Sequence, residues 1–276
     1  MHYRTIGNTG IEVSVLCWGT DMLGGLVEQK EGEKILKTLR QQGINFIDTA
    51  DAYQNGNSEC LLGELIRDDR KRWILATKAG YPLPSDEKGP RLSRDRILKK
   101  FESSLERLGT EYVDIYYLHI IDPQTTIAET VRTMGEVVKS GRARYWGFSN
   151  YYAWQIAEMI RICDLEGIPR PVIAQTHYNI FKRYPEREYL PACEHFDISV
   201  IGYSPLARGV LTGKYLPGTP PPTESRKSLE TTFTMKAEYH PESLELAQKI
   251  KQHAETQKMG PVQFACLLYT SPSPRD

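Results

Sequence analysis

The sequence predicts an α/β fold of the (β/α)8 TIM-barrel type, incomplete at its C-terminal end, with strand eight and the following helix missing. Three observations predict it. Short β-branched or aromatic runs alternate with longer segments of helical period along the 276 residues. With Gly19, Asp48, Lys78, His119, Ser149, Gln175 and Ser204 taken as the ends of those runs, successive ends lie 26 to 41 residues apart, each interval enough for one βαβ crossover. The phosphate fingerprint G-x-G-x-x-G follows none of the runs, which disfavours a doubly wound sheet of the same rhythm.

The elements can be justified in chain order. "YRTIGNTGIEV" reads as a β-hairpin turning at Asn8 to Gly10, placed as a plug across the barrel floor. Candidate strands follow at 13–19 (VSVLCWG), 45–48 (NFID), 73–78 (WILATK), 113–119 (VDIYYLH), 143–149 (ARYWGFS), 172–177 (VIAQTH) and 198–204 (ISVIGYS). Helices between them have readable ends. Ile35, Leu36 and Leu39 precede a stop at Gly43, and Ile97, Leu98, Phe101, Leu105 and Leu108 lie between a Ser93 cap and a Gly109 stop. Thr126 with Glu129 makes a capping box ahead of Val131, Met134 and Val138, and that helix stops at Gly141.

Composition narrows the function classes. Lysine plus arginine and aspartate plus glutamate each total 35, so the zero net charge favours neither nucleic acid nor an anionic membrane surface. No apolar run reaches the roughly 20 residues of a spanning helix, and the first ten residues lack a secretory layout, so the reading is cytoplasmic. The five cysteines form no C-x-x-C pair, which argues against a disulfide framework and against a metal site. "GVLTGK" at 209–214 is no P-loop, having three residues between its glycines and Tyr215 where magnesium needs a hydroxyl of Ser or Thr.

In a parallel barrel the strand C-termini carry the chemistry. The stretch "NFIDTADAY" runs from an apolar strand straight into Asp48, Asp51 and Tyr53, while Lys78 and His119 close the next two strands. Singly, each has an ordinary reading as a rim charge, half an ion pair or a satisfied amphipathic side chain. Together they suit one job. A lysine ammonium draws a tyrosine phenol toward working pH, a carboxylate holds the lysine, and an imidazole orients a substrate oxygen. Such a set protonates an oxygen that is gaining charge, as carbonyl reduction requires, with hydride from a nicotinamide because no side chain donates one.

The stretches "INFIDTADAYQNGNSECLLGELI", "WILATK", "VDIYYLH", "RYWGFSN", "AQTHYN" and "GYSPLARGVLTGKY" resemble the aldo-keto reductases, in order, from residue 1 to about 265. The subgroup resembled is that of bacterial reductases related to potassium-channel β subunits. The resemblance implies Tyr53 as general acid, Lys78 and Asp48 as its tuning pair and His119 as the carbonyl-orienting donor. It implies NADP(H) as cofactor, with Ser149, Asn150 and Gln175 on the nicotinamide carboxamide and Tyr203 stacked on the ring. Ser204, Leu206 and Gly209 then approach the pyrophosphate, Lys214 and Arg226 the phosphates, and Gly19 and Thr20 complete the cofactor set. The ordinary alternative for Ser149 and Asn150 is a helix N-cap.

The expected partner is a small carbonyl compound, walled by Trp18, Met22, Tyr81, Ile120 and the loop 217–233, with oligomeric state open. Two other functions stay open. One is a regulatory subunit that keeps barrel and nucleotide; the resemblance implies that such subunits lack a histidine where this chain has His119. The other is an aldolase-type barrel with Lys78 as Schiff-base nucleophile. The family pattern stops after "GPVQFA", and 266–276 (CLLYTSPSPRD) reads as a tail, matching a translated sequencing-library adapter, with Pro272 and Pro274 barring a helix interior or central strand. The domain expectation is thus a truncated barrel over 1–265 and a non-native or disordered tail over 266–276. A barrel lacking its last strand exposes two sheet edges, so the expectation includes low stability and lost activity.

Overall fold

The computed structural model describes residues 1–83, 88–229 and 233–270. Residues 230–232 of the loop expected to wall the substrate, and 271–276 of the expected tail, lie outside the described residues.

The chain opens with the hairpin β1 (Tyr3–Thr5) and β2 (Glu12–Ser14), paired antiparallel. There follow β3 (Cys17–Gly19), α1 (Gln29–Gln42), β4 (Phe46–Asp48), α2 (Asn57–Ile66), β5 (Ile74–Ala79), α3 (Arg94–Leu108), β6 (Val113–Leu118) and α4 (Ile127–Lys139). Then come β7 (Ala143–Ser149), α5 (Ala153–Glu166), β8 (Ile173–His177), α6 (Tyr189–His195), β9 (Ser199–Tyr203), α7 (Pro241–Thr256) and α8 (Pro261–Thr270). The seven strands β3 to β9 lie in sequence order in one sheet, and the neighbours from β3 to β8 pair in parallel. This is the incomplete (β/α)8 barrel that the spacing predicts, with β3 and β9 at the two ends of the order.

Every expected strand is present, with one division. The run 13–19 is two elements, because the Ser14 hydroxyl donates to the Leu16 carbonyl at 2.6 Å and the chain bends at Val15 and Leu16 before β3. The helix ends follow the glycines: Gly43 and Gly109 adopt left-handed φ of 72° and 59° just past α1 and α3. The Thr126 hydroxyl accepts from the Glu129 N–H at 3.2 Å and caps α4. The α8 helix runs through Thr270, so 266–270, read as part of a tail, have helical backbone.

The chain divides into two compact units, Met1–Gln175 with Glu188–Val200, and Thr176–Arg187 with Ile201–Asp276. In the first unit every residue of β6 is buried, as in strands covered on both faces. Leu62, Leu75, Val131, Met134, Trp146 and Ile156 build its core, each contributing on the order of 1.5–3 kcal/mol by leaving water. Gly63 lets α2 approach α3, since a Cβ there would stand 2.4 Å from the Leu108 carbonyl. The hairpin is tied to the strand N-termini: the Ser14 N–H donates to Asn45 Oδ1 at 2.7 Å and the Gly7 N–H to Ser199 Oγ at 2.8 Å. That is the floor position expected of it. In the second unit Val210, Leu211, Tyr215, Met235, Leu244, Ala247 and Ala265 form a separate core.

Candidate active site

Parallel pairing places the ends of β3 to β8 along one edge of the sheet. In register, Gly19 lies beside Asp48, Asp48 beside Ala76, Lys78 beside Tyr117 and Ser149 beside Gln175. Asp48 closes β4, Lys78 lies one residue inside the end of β5, and His119 follows β6 directly. All of these belong to the first unit.

Three of the four expected catalytic groups meet directly. The Lys78 ammonium, fully buried, donates to Asp48 Oδ1 and to the Thr49 carbonyl, the latter at 2.7 Å. It also stands 4.6 Å from the centre of the Tyr53 ring. The fourth is adjacent, since the His119 ring meets Tyr53 edge to face at 5.8 Å. Tyr81, expected in the substrate wall, lies against the other partner, its ring centre 5.1 Å from that of His119. The 360 Å³ cleft lined by Leu92, Ile121, Asp122, Tyr151, Trp154 and Met159 contains none of the four.

Burying an ion pair is costly unless its remaining valences are met. Here they are met: Asp48 Oδ2 accepts from Gln175 Nε2 at 3.3 Å while Oδ1 takes the ammonium. Burial alone lowers the Lys78 affinity for its proton, but Asp48 and Tyr53 outweigh it and the amine stays charged. Burial lifts the Asp48 carboxyl above its ordinary value against the pull of Lys78. For Tyr53 the sequence expectation is corrected. Lys78 does draw the phenol downward, but burial is the larger effect and Asp48 reinforces it, so the group is pushed up to about 12. The phenol therefore keeps its proton at neutral pH. His119 is held well below its usual value by burial and by Lys78, so its imidazole is neutral, and its Nδ1 is buried with no hydrogen-bond partner among the described residues.

The expected carboxamide group is assembled beside them. Asn150 takes a left-handed φ of 61°, and its Nδ2 donates to Ser149 Oγ at 2.8 Å. The Gln175 carbonyl accepts from the Asn150 N–H and from the Tyr189 hydroxyl, both at 3.1 Å. Neither Ser149 nor Asn150 caps α5; Tyr152 occupies that position, its N–H bonded to Gln155 Oε1 at 3.0 Å. Gly19 is exposed, with open space where a Cβ would stand. Thr20 differs from expectation: it is buried, and its hydroxyl is engaged with Ser58 Oγ at 2.8 Å and the Asp48 carbonyl at 3.2 Å, a brace for the end of β4.

The remaining expected cofactor residues belong to the second unit. Tyr203 closes β9, with the His177 imidazole stacked on it, centres 4.9 Å apart and planes within 8°. Beyond it the chain turns repeatedly into left-handed backbone at Ser204, Ala207, Arg208 and Gly209, with φ of 58°, 48°, 56° and 96°. Within this run the Ala207 N–H donates to the Ser204 carbonyl and the Gly209 N–H to the Leu206 carbonyl, both at 2.9 Å. Leu206 sits between them, Lys214 is exposed with its ammonium 5.2 Å over the Tyr215 ring, and Arg226 is half-buried.

Sequence reasoning missed several members. The Thr49 carbonyl that holds Lys78 is a backbone group and leaves no side-chain signal. Tyr117, in register with Lys78, is fully buried with its hydroxyl unpartnered among the described residues; its place in an apolar run hid it. Cys17 carries a thiol pushed well up by burial and by Asp48, against Lys78. His177, stacked on Tyr203, is also paired with the buried Glu238 at 2.8 Å.

Among the described residues no group of three or more His, Cys, Asp or Glu is placed to hold a metal ion, and no helix is long and apolar enough to cross a membrane. Two curated relatives bear on the geometry. The chain is 40% identical over 237 residues to the "Probable voltage-gated potassium channel subunit beta" of Arabidopsis thaliana, covering 83% of this chain and 71% of that one. It is 38% identical over 237 residues to the protein of the same name from Oryza sativa subsp. japonica, with the same coverage. Residues 15–271 match the Aldo/keto reductase family. With strand order, tetrad and sequence in agreement, the chain belongs to the Aldo/keto reductase family.

Proposed function

We propose that the protein is an NADP-dependent oxidoreductase that reduces aldehydes or ketones to alcohols, with Tyr53 as general acid. The observation that carries the reading is the contact of one phenol with one fully buried ammonium, beside a neutral imidazole. A nicotinamide nucleotide, when bound, supplies the hydride. The donor set fits such a group. In the first unit Ser149, Asn150 and Gln175 offer a hydroxyl and two amides, the complement of a carboxamide. In the second, Tyr203 offers a ring face, and the left-handed run with Lys214 and Arg226 suits the phosphates. Preference for NADP over NAD is inferred from family membership.

The chain's own groups divide the work. Tyr53, near 12, keeps its proton until a substrate oxygen gains negative charge, and an alkoxide is basic enough to take it. Lys78 then stabilises the phenolate left behind, at 4.6 Å from the ring centre. Asp48 fixes Lys78 and keeps it charged. Neutral His119 orients the carbonyl and adds no competing positive charge.

The test follows NADPH oxidation by the full chain over a panel of aldehydes, with Tyr53→Phe as control. Reduction that the control loses supports the reading; an active Tyr53→Phe overturns the acid assignment. A second reading, a nucleotide-binding regulatory subunit, is favoured by the names of the relatives. Tight NADPH binding without turnover of any aldehyde would favour it over the first. A borohydride-trapped adduct on Lys78 would instead support a Schiff-base barrel, which the buried Asp48 pairing disfavours.

A further inference from the structure

Asp51 lies between two tetrad members in sequence, and the hydrogen bonds around it reach a third. Its N–H donates to the Lys78 carbonyl at 3.0 Å, while the Tyr53 N–H donates to the Ala50 carbonyl at 3.1 Å. The same short turn thus carries Asp48 at its start and Tyr53 at its end, with the backbone of Lys78 bonded to its middle. The Asp51 side chain points away from solvent and is 2% exposed. Neither carboxyl oxygen has a hydrogen-bond partner among the described residues, and the ion-pair partner is Lys100 of α3, 3.4 Å from Oδ2.

Other charged and titratable groups face Asp51 from the elements packed around it. Glu59 of α2 is fully buried and bonded to Arg107 of α3 at 2.7 Å and to the Thr77 hydroxyl of β5 at 2.5 Å. The Tyr116 phenol of β6 senses both carboxylates and donates to the Ile97 carbonyl at 3.4 Å. Burial raises the Asp51 carboxyl most, Lys100 opposes that and Glu59 adds to it, leaving the group at about 6. Few buried carboxylates in proteins lack hydrogen bonds, and one that does usually has a reason.

We propose that Asp51, ionised and paired with Lys100, is a positioning residue that fixes the turn bearing Asp48 and Tyr53 against Lys78, so that losing its charge loosens the acid and slows turnover. This rests on the reductase reading. The Lys100 side chain is 25% exposed. Once Asp51 is neutral, the turn keeps its backbone bonds and the side-chain contacts of Asp48 and Thr49 but loses the pairing at Asp51. A displacement of about 1 Å at a reacting group is enough to lower a rate by up to about a hundredfold.

The test measures kcat and KM for NADPH-dependent aldehyde reduction by the full chain between about pH 5 and 9, for wild type, Asp51→Asn, Asp51→Glu and Lys100→Met. In wild type, kcat falls about five- to tenfold below about pH 6 toward an acid plateau. Asp51→Asn sits on that plateau at every pH with KM for NADPH within about twofold, and Asp51→Glu restores part of the acid limb. An Asp51→Asn enzyme that keeps the wild-type limb, or wild-type kcat at neutral pH, overturns the proposal. Amide hydrogen exchange over residues 48–53 decides the positioning separately from the chemistry. Faster exchange in Asp51→Asn than in wild type at neutral pH is expected, and equal protection overturns the proposal. If wild type reduces no aldehyde, the exchange result still decides the turn, independently of the reductase reading. Lys100→Met, altered at a partly exposed side chain, serves both measurements if Asp51→Asn does not fold.

Discussion

The tetrad in the first unit and the Ser204–Lys214 segment in the second are built on opposite principles. Asp48, Lys78 and their neighbours sit on strand ends, buried, each polar atom of the ion pair met by a named partner. The second segment is loop and turn, with left-handed backbone at four positions between Ser204 and Gly209. Strained backbone of this kind costs on the order of 1–2 kcal/mol for each residue other than glycine. The contrast teaches where each kind of precision comes from. Groups fixed to a fraction of an ångström are what strand ends supply; the turns after β9 instead hold their shape by local backbone bonds, Ala207 N–H to the Ser204 carbonyl and Gly209 N–H to the Leu206 carbonyl.

The comparison can be broken most sharply at Lys78. Replacing it with methionine leaves the Asp48 carboxylate buried without its cation, and the expected cost is about 3–5 kcal/mol in a urea titration together with loss of measurable reduction. A stable Lys78→Met chain would show that the strand ends are less over-determined than the contacts imply. Tyr53→Phe separates chemistry from folding. It removes one hydroxyl from a half-buried ring, so kcat should fall about a thousandfold, about 4 kcal/mol of barrier, with stability within about 1 kcal/mol of wild type.

Most of the first region is legible in the sequence, and the reasons are physical. Strand C-termini share one edge in any parallel barrel, so counting residues between apolar runs is enough to bring Asp48, Lys78 and His119 together. Tyr53 follows because the turn after β4 is short. Three things were not legible there. The division of 13–19 depends on one Ser14 hydrogen bond, the Thr20 hydroxyl is taken by Ser58 of a helix 38 residues on, and the proton affinity of Tyr53 depends on how much water the finished fold removes. The second region was legible mainly through resemblance. Left-handed φ at Ala207 and Arg208 belongs to residue types that avoid it, so no local rule announces them.

Gly209→Ala tests whether that loop conformation matters. Its φ of 96° is one that L side chains rarely adopt, and a Cβ there would stand 3.3 Å from the Lys214 side chain. The expected loss is about 1–2 kcal/mol of stability with weaker NADPH binding by fluorescence titration, while kcat at saturating cofactor changes little. If NADPH affinity is unaltered, the segment has no part in holding the phosphates.

The contrast extends to pH, because one buried carboxylate in each unit responds to it with opposite sign. Burial lifts Asp51 to about 6, whereas for Glu238 burial also raises the group but the His177 pairing at 2.8 Å outweighs it and holds it below the ordinary value. Between about pH 4 and 6 folded Asp51 retains a proton that the unfolded chain has released, so its contribution to stability declines as pH rises through that window. Glu238 works the other way: its contribution is present above the unfolded value of about 4.3 and is lost as pH falls through the lower folded value. Urea titrations at several pH values should therefore diverge. A tenfold change in proton affinity between folded and unfolded chain corresponds to about 1.4 kcal/mol. Relative to wild type, Asp51→Asn should accordingly gain about 1–3 kcal/mol between about pH 4.5 and 7, and Glu238→Gln should lose stability at neutral pH and progressively less of it below about pH 4. Parallel curves for Asp51→Asn and wild type would remove Asp51 as the titrating group, and a Glu238→Gln deficit that persists in acid would assign that residue to packing instead of charge.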